Sequence, residues 1–480
     1  MDKLKKIAVS SIEENGKIFI ELSNKIWDNP ELSLKEYKSV GIYVKLLLEL
    51  GFEVEESVAG IPTAFLGKWG SGRPVIGILG EYDALSGLSQ AGGVAERREL
   101  VKGGAGHGCG HNLLGAGSLA AAFGVMQYLK NTGREGTVIF FGTPGEEGGA
   151  GKAFMAKDEL WRSLDAAITW HPGDCNEVST GSCNSCIQTL YKFRGVASHA
   201  AGDPENGRSA LDAVELMNVG AQYLREHMKS DARIHYSIID GGGFSPNVVQ
   251  PTASVLYMVR SPLVKDALEL QARVDKIADG ASLMTECPHE KIFIDGCSGT
   301  VTNHTLEGAI YENMKLLSLP TYTDEEWAFA NSVKSTYKTN SLPTIAAEHS
   351  AEARAEIERL TEGSTRAIND FLSPLYLGDT FSPGSTDVGD VSWQTPAAQL
   401  YAACFTAGAP GHSWQNVSVG RTSIAHKGML YAAKALAMTA VDLFENAELL
   451  AKIKAEFKER TKGVYVCPIP DNEYAKPVEM

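Results

Sequence analysis

No stretch of this chain is apolar for long enough to cross a bilayer. Its opening residues, Met1-Asp2-Lys3-Leu4-Lys5-Lys6, run into a mixed polar pattern without a secretory core. These absences predict a cytoplasmic protein with no membrane partner. Positive charge is short too: 44 Lys and Arg face 59 Asp and Glu, a formal charge of −15 with no concentrated basic run. Such a surface repels nucleic acid and anionic lipid, so no nucleic-acid partner is expected. Cysteine is sparse, eight in 480 residues, which excludes a disulfide framework and suits free thiols or ligands. Cys183 and Cys186 form a Cys-x-x-Cys pair, but a zinc knuckle needs a second pair, and a strand-like run follows where a redox pair would open a helix. That pair is read as chemically neutral. Internal repeats and low-complexity tracts are also missing.

What remains is an ordinary globular composition, 44% hydrophobic and 21% charged, in a chain too long for one core. Residues 3–27 carry Leu4, Ile7, Ile12, Ile18, Leu22 and Ile26 toward one side, an amphipathic helix stopped by Asn29-Pro30. A second helix is expected through Tyr43, Val44, Leu47 and Leu48 to about Gly51. Strand-like and helical runs then alternate. Residues 74–79 lead to Gly80-Glu81-Tyr82-Asp83, and a small-residue helix covers 113–129. Residues 137–141 lead to Gly145-Glu146-Glu147, and 165–170 lead to His171-Pro172. Polar residues gathered at strand ends predict an α/β catalytic unit, a central mixed sheet flanked by helices with its site along the carboxyl edge. Near residue 185 the rhythm changes to β-α-β-β-α-β, the order of a ferredoxin-like sandwich. The expected division is a discontinuous catalytic unit, 1–185 and 303–480, and an inserted unit, 186–302. Polar stretches around 334–352, an apolar strand at 399–405 and a helical region from Ser423 to about Lys462 complete the first unit.

The chain is organised around Gly106-His107-Gly108-Cys109-Gly110-His111-Asn112. Cys109 and His111 stand two apart, so an extended backbone would point both to one side, between glycines that allow tight folding. Sulfur and imidazole together suit soft or borderline divalent metals. Further donors lie at strand ends and in one late loop: Glu146-Glu147, His171, and His412 within Ala409-Pro410-Gly411-His412-Ser413. A lone His beside Pro is more often structural than a ligand, and an acidic pair is more often a solvated turn. Four such features in one α/β chain are hard to explain as packing. Adjacent carboxylates on an extended segment project to opposite sides, so one can hold a metal while the other takes a proton from water.

These motifs resemble the aminoacylase/carboxypeptidase G superfamily of metal-dependent amidohydrolases, in the branch that carries cysteine in place of a bridging aspartate. The likeness also covers Ser198-His199-Ala200 and Gly384-Ser385-Thr386-Asp387-Val388-Gly389-Asp390. It implies two divalent ions per chain, Zn or Mn, held by Cys109 (bridging), His111, Glu147, His171 and His412. It implies Glu146 as general base, Asp83 supporting a ligand, and His199 reaching a partner's site to stabilise the oxyanion. Asn247 and Arg260 would hold the substrate's carboxylate, and the inserted unit would serve as lid and dimerisation surface. The implied reaction is hydrolysis of the amide bond of an N-acyl or N-aroyl amino acid, of the p-aminobenzoyl-glutamate type. The implied assembly is a homodimer, with a hetero-oligomer containing a related chain as the other possibility. A metallo-dipeptidase with the same machinery and a non-catalytic subunit stand as alternatives. Two positions depart from the pattern: Glu81 replaces a metal-binding histidine or aspartate, and Asn112 replaces an aspartate.

Overall fold

The computed structural model describes residues 1–339, 342–344 and 346–477. Helix α1 (Lys3–Trp27) is capped by the Asp2 carboxylate, which accepts from the backbone N–H groups of Leu4 and Lys5. Its buried stripe runs through Ala8, Ile12, Phe19, Leu22 and Ile26, while Ile18 turns outward. Phe19 therefore takes the core place expected of its neighbour. Helix α2 (Tyr37–Leu50) ends at Gly51, whose φ of 91° stops the helix.

The main sheet collects β1 (Glu53–Glu56), β2 (Phe65–Ser71), β3 (Val75–Gly80), β4 (Gly136–Gly142), β5 (Ala166–Gly173) and β6 (Glu177–Val178). A two-residue strand, β7 (Ser182–Cys183), then leads into a second sheet of β8 (Ser185–Arg194), β9 (Arg233–Asp240), β10 (Thr252–Ser261) and β11 (His289–Cys297). Strand β12 (Phe381–Ser382) pairs with β7, and β13 (Ala397–Ala403) returns to the main sheet. The main sheet's order is β1-β2-β4-β3-β5-β13-β6. Its four inner strands are mutually parallel, and β2 and β6 run against them. Parallel strands share one carboxyl edge, so Glu81, Asp83, Glu146, Glu147 and His171 arrive there together. The apolar strand expected at 399–405 lies at 397–403; beyond it, the N–H groups of Cys404 and Phe405 both donate to Gly173 O and leave the ladder.

One face of this sheet is covered by α1, by α3 (His111–Thr132) and by the long helix Ser423–Glu445, which together bury the largest apolar core. The C-terminal helical region is two helices, Ser423–Glu445 and Ala447–Thr461, broken at Asn446. Helix α3 approaches closely because Gly115 has no side chain: a Cβ there would stand 2.2 Å from the Tyr43 hydroxyl and 2.6 Å from Glu81 O. The short helix α4 (Gly151–Lys157) lies on the other face, within a second core.

The second sheet has the order β11-β8-β10-β9, antiparallel throughout, with α5 (Ala210–Arg225) and α6 (Val264–Thr285) packed on it. This is the ferredoxin-like order expected for the inserted segment. Its first and last strands are neighbours, with Cys186 opposite Cys297 and their Sγ atoms 3.3 Å apart. Cys186 thus meets Cys297, not Cys183. The polar stretch expected around 334–352 contains Asn340, Ser341 and Ile345, which lie outside the described residues; Ala346–His349 and Ala351–Leu360 are helical. No helix among the described residues is long and apolar enough to cross a membrane.

Candidate metal centre

Cys109 and His111 converge by a route other than the extended one expected. Gly110 takes a left-handed conformation (φ 82°), and His111 already opens α3. A turn, not strand alternation, brings the two side chains to one place. A Cβ at Gly110 would press within 2.7 Å of the Phe405 ring, so glycine is required on both counts. The Glu146-Glu147 pair is likewise in a turn, residues 146–149, entered through Gly145 at φ 70°.

His111 is fully buried, and its Nδ1 stands 2.7 Å from Asp83 Oδ1. The other Asp83 oxygen accepts from Ser33 Oγ and from the Glu147 N–H, each at 2.9 Å. His111 Nε2 has no hydrogen-bond partner; Glu81 Oε2 lies 3.1 Å away but out of line. His171 ends β5 with its Nδ1 2.8 Å from Pro172 O, which leaves Nε2 directed at Cys109 Sγ, 3.3 Å away. Trp170, buried just before it, anchors the strand through its indole N–H on Leu114 O. Glu147 Oε1 is buried and unpartnered, and Oε2 lies 3.7 Å from Nε2 of the half-exposed His412. The His412 backbone is itself left-handed at φ 50°, a strained conformation of the kind that gathers at functional sites.

Three donor groups have ligand atoms within 4.8 Å of one another: Cys109, His111 and His171; Cys109, Glu147 and His412; and Glu81, His111 and Glu146. Cys109 belongs to the first two, as a thiolate shared between two ions would. Each imidazole on the sheet has one nitrogen fixed by an oxygen and the other facing the donors, the arrangement that orients histidine toward a metal. The residues present therefore fit a pair of divalent ions.

The charges of the protein groups are set by burial and by one another. Burial pushes the Cys109 thiol up to about 12. Burial opposes a charge on His111, but Cys109 and Asp83 beside it win and hold it well above the usual imidazole range. Burial, with Glu81 and Asp387 close by, raises Glu146 well above an ordinary carboxyl.

The sequence reading missed the cation behind this edge. Lys152 on α4 is fully buried, with Nζ 2.7 Å from Glu81 Oε1 and 2.5 Å from Asp387 Oδ1. Its ammonium outweighs burial at Glu81, whose pKa falls, whereas burial still raises Asp387. The available signal was a lysine inside an otherwise small and apolar helix, which needs buried partners. Asn112 faces away from the donors, bonding to Ser23 Oγ (3.0 Å) and Gly420 O (3.3 Å).

A cavity of about 370 Å³ opens over the donors, with Cys109, Glu146, Glu147, His171 and His412 on one wall. Arg260 stands at its rim, donating to Oγ of the lining Ser385 at 2.9 Å. His199 and Asn247 do not reach this chain's own cavity. His199 is exposed, and its Nδ1 accepts from the N–H groups of Ala201 and Gly202, leaving Nε2 as the outward donor. Asn247 is also exposed and meets that segment through its backbone O on the Ala200 N–H.

Donor set and fold together define a metal-dependent hydrolase of amide bonds. The chain belongs to peptidase family M20/M25/M40, whose family model matches residues 77–437. It is 43% identical to one of the subunits of p-aminobenzoyl-glutamate hydrolase from Escherichia coli (strain K12), over 100% of both chains. It is 28% identical to the Xaa-Arg dipeptidase of Mus musculus, over 95% of this chain and 93% of that one. Among solved structures, an aminobenzoyl-glutamate utilization protein from Klebsiella pneumoniae shares the fold at TM-score 0.59 and 14% identity, covering 90% of this chain and 97% of that one. The Bacillus subtilis YXEP protein, a dinuclear metal binding peptidase from the M20 family, does so at TM-score 0.53 and 16% identity, covering 90% and 99%.

Proposed function

We propose that this chain hydrolyses the amide bond of an N-aroyl amino acid of the p-aminobenzoyl-glutamate type, using two divalent ions, Zn or Mn. The observation that carries the proposal is the membership of Cys109 in two donor groups, with the Glu146 carboxyl beside them. In this reading Cys109 would serve both ions, with His111 and His171 as further donors to one and Glu147 and His412 as further donors to the other. The ions would supply a Lewis acid for the carbonyl and an acidified water. Asp83 fixes the His111 ring through Nδ1. Glu146, whose carboxyl burial raises, would take the proton from water and pass it to the leaving amine. Arg260 attracts the amino-acid carboxylates at the rim, and Asn247, which does not reach this chain's own cavity, would assist in the site of a second chain.

The segment 186–302 is the lid in this reading and pairs with its counterpart in a second chain. The outward Nε2–H of His199 is what supports a role across that interface. A homodimer satisfies this arrangement. So does a hetero-oligomer with a related chain, which is supported by the Escherichia coli relative being named as one subunit of its hydrolase. Eight free cysteines suit a cytoplasmic setting. The test is to strip the protein of metal, reload it with Zn²⁺ or Mn²⁺, and measure glutamate and p-aminobenzoate released from p-aminobenzoyl-glutamate. Metal-dependent release of both is expected. Cleavage of Xaa-Arg dipeptides with no release from the aroyl substrate would overturn the substrate assignment in favour of a dipeptidase.

A further inference from the structure

The wall of the cavity away from the donors carries one further carboxylate, and neither the metal centre nor the proton transfer uses it. Glu307 lies in the first turn of α7 (His304–Leu316) and lines the cavity, its side chain 3% exposed. Its Oε2 accepts from Thr180 Oγ1 at 2.7 Å, and its Oε1 accepts from the Asn303 N–H at 3.2 Å. Two bonds leave lone pairs free on both oxygens. Thr180 lines the cavity beside Glu307. No Lys or Arg side chain is among the described residues that line this cavity.

We propose that Glu307, oriented by Thr180, is a subsite that accepts a hydrogen bond from the para-amino group of an aroyl substrate and so selects the acyl half. The inference rests on the hydrolase reading above and adds the direction in which the substrate lies. Charge sorts the two ends. The amino-acid half carries carboxylates, for which the Glu307 carboxyl is a poor neighbour and which Arg260 at the rim attracts. The aroyl half is neutral and ends in an N–H donor. The lining also includes Val301, Val388, Ala398 and the ring of Tyr401, apolar company for an aromatic ring. An α-ammonium fits less well, because it would sit one carbon from the scissile carbonyl and hence beside the ions, whereas Glu307 belongs to none of the donor groups.

The test varies the para substituent. On wild-type enzyme loaded with Mn²⁺ or Zn²⁺, kcat/KM for p-aminobenzoyl-glutamate should exceed that for benzoyl-glutamate by roughly 10- to 100-fold, as for a buried polar group left without its partner. p-Hydroxybenzoyl-glutamate, which keeps a donor, should follow the amine; p-methoxybenzoyl-glutamate, which has none, should not. In Glu307→Gln the amide oxygen can stay on the Asn303 N–H while its NH₂ turns to the cavity, so the preference should vanish, chiefly through KM. Equal kcat/KM for the amino and unsubstituted substrates overturns the proposal, as does a preference that survives Glu307→Gln. So does Glu307-dependent preference for dipeptides with a free α-amine. Calorimetric binding of p-aminobenzoate against benzoate reads the subsite without turnover. A Glu307-dependent preference there, with no aroyl-glutamate cleaved, would sink the hydrolase substrate assignment and leave the subsite standing. Cleavage of both aroyl-glutamates at equal efficiency would do the reverse.

Discussion

At the carboxyl edge of the main sheet, Asp83 and His111 are buried and held against each other, and Asp83 also accepts from the Glu147 N–H, before any ligand arrives. Beside the four-stranded sheet, His199 and Asn247 stand in solvent on two loops held to each other by backbone bonds. Both sets carry chemistry in the proposed reaction, yet one is pre-arranged and the other waits for a surface. Pre-arrangement costs desolvation, which the raised thiol of Cys109 and the raised carboxyl of Glu146 record. The exposed set carries no such desolvation cost in the isolated chain. Mutations in the two regions should therefore fail in different ways.

The largest expected effect is on the buried side. Glu146→Gln should lower turnover by about 10²–10⁴-fold with metal content and melting temperature retained. Elemental analysis beside the glutamate-release assay checks it, and loss of metal would move Glu146 into the ligand set. On the exposed side, His199→Ala should cost about 10²–10³-fold, the scale of a lost oxyanion donor, with metal unchanged. Mixing His199→Ala with Glu146→Gln chains sharpens the contrast. Random re-pairing should restore about one quarter of wild-type activity, since half the dimers then hold one intact site. Hybrid dimers seen by sedimentation without recovered activity would confine His199 to a structural role.

A third prediction concerns acid. The thiol, held up to about 12 before metal arrives, must lose its proton to ligate. The charged His111 must lose one as well, so metal affinity should rise by at least about tenfold per pH unit through the neutral range and fall as pH drops. Cys109→Ala should lose at least one ion and flatten that slope, measured by competition with a chelator. The smallest effect is at the fastening between the two sheets. Asp390 accepts from Ser298 N and Oγ (2.9 and 2.7 Å) and from the Tyr465 hydroxyl (2.9 Å), and burial pushes its carboxyl up to about 7. Between about pH 4 and 7 the folded protein keeps a proton that the unfolded chain has released. This group's stabilisation is full below that window and declines as pH rises through it. Melting curves taken across pH should show a shallower decline in Asp390→Asn.

Sequence carried the fold far because its signals were periodic: α1, the parallel strands and the β-α-β-β-α-β order all follow from apolar spacing. The donors were legible because Cys109, His171 and His412 are rare residue types in distinctive settings. Turn geometry was not. Spacing of two suggested an extended Cys109–His111 segment, but the left-handed Gly110 and the start of α3 bring the pair together instead. Lys152 and Glu307 were invisible for another reason. Each is an ordinary charged residue on a helix, and only tertiary packing buries one against Glu81 and Asp387 and lines the cavity with the other.

The pairing of Cys186 with Cys297 has a consequence for chain editing. The residues that open and close the four-stranded sheet face each other across one rung of β8 and β11. The stretch between them thus begins and ends at a single doorway, and a short loop could span the gap left by its removal. Segments with neighbouring ends are the ones that tolerate exchange between proteins. In the proposed assembly, the main sheet would then carry a relative's version of the whole segment, with that relative's counterpart of His199. Such a graft would transplant assembly preference while leaving the buried donors untouched.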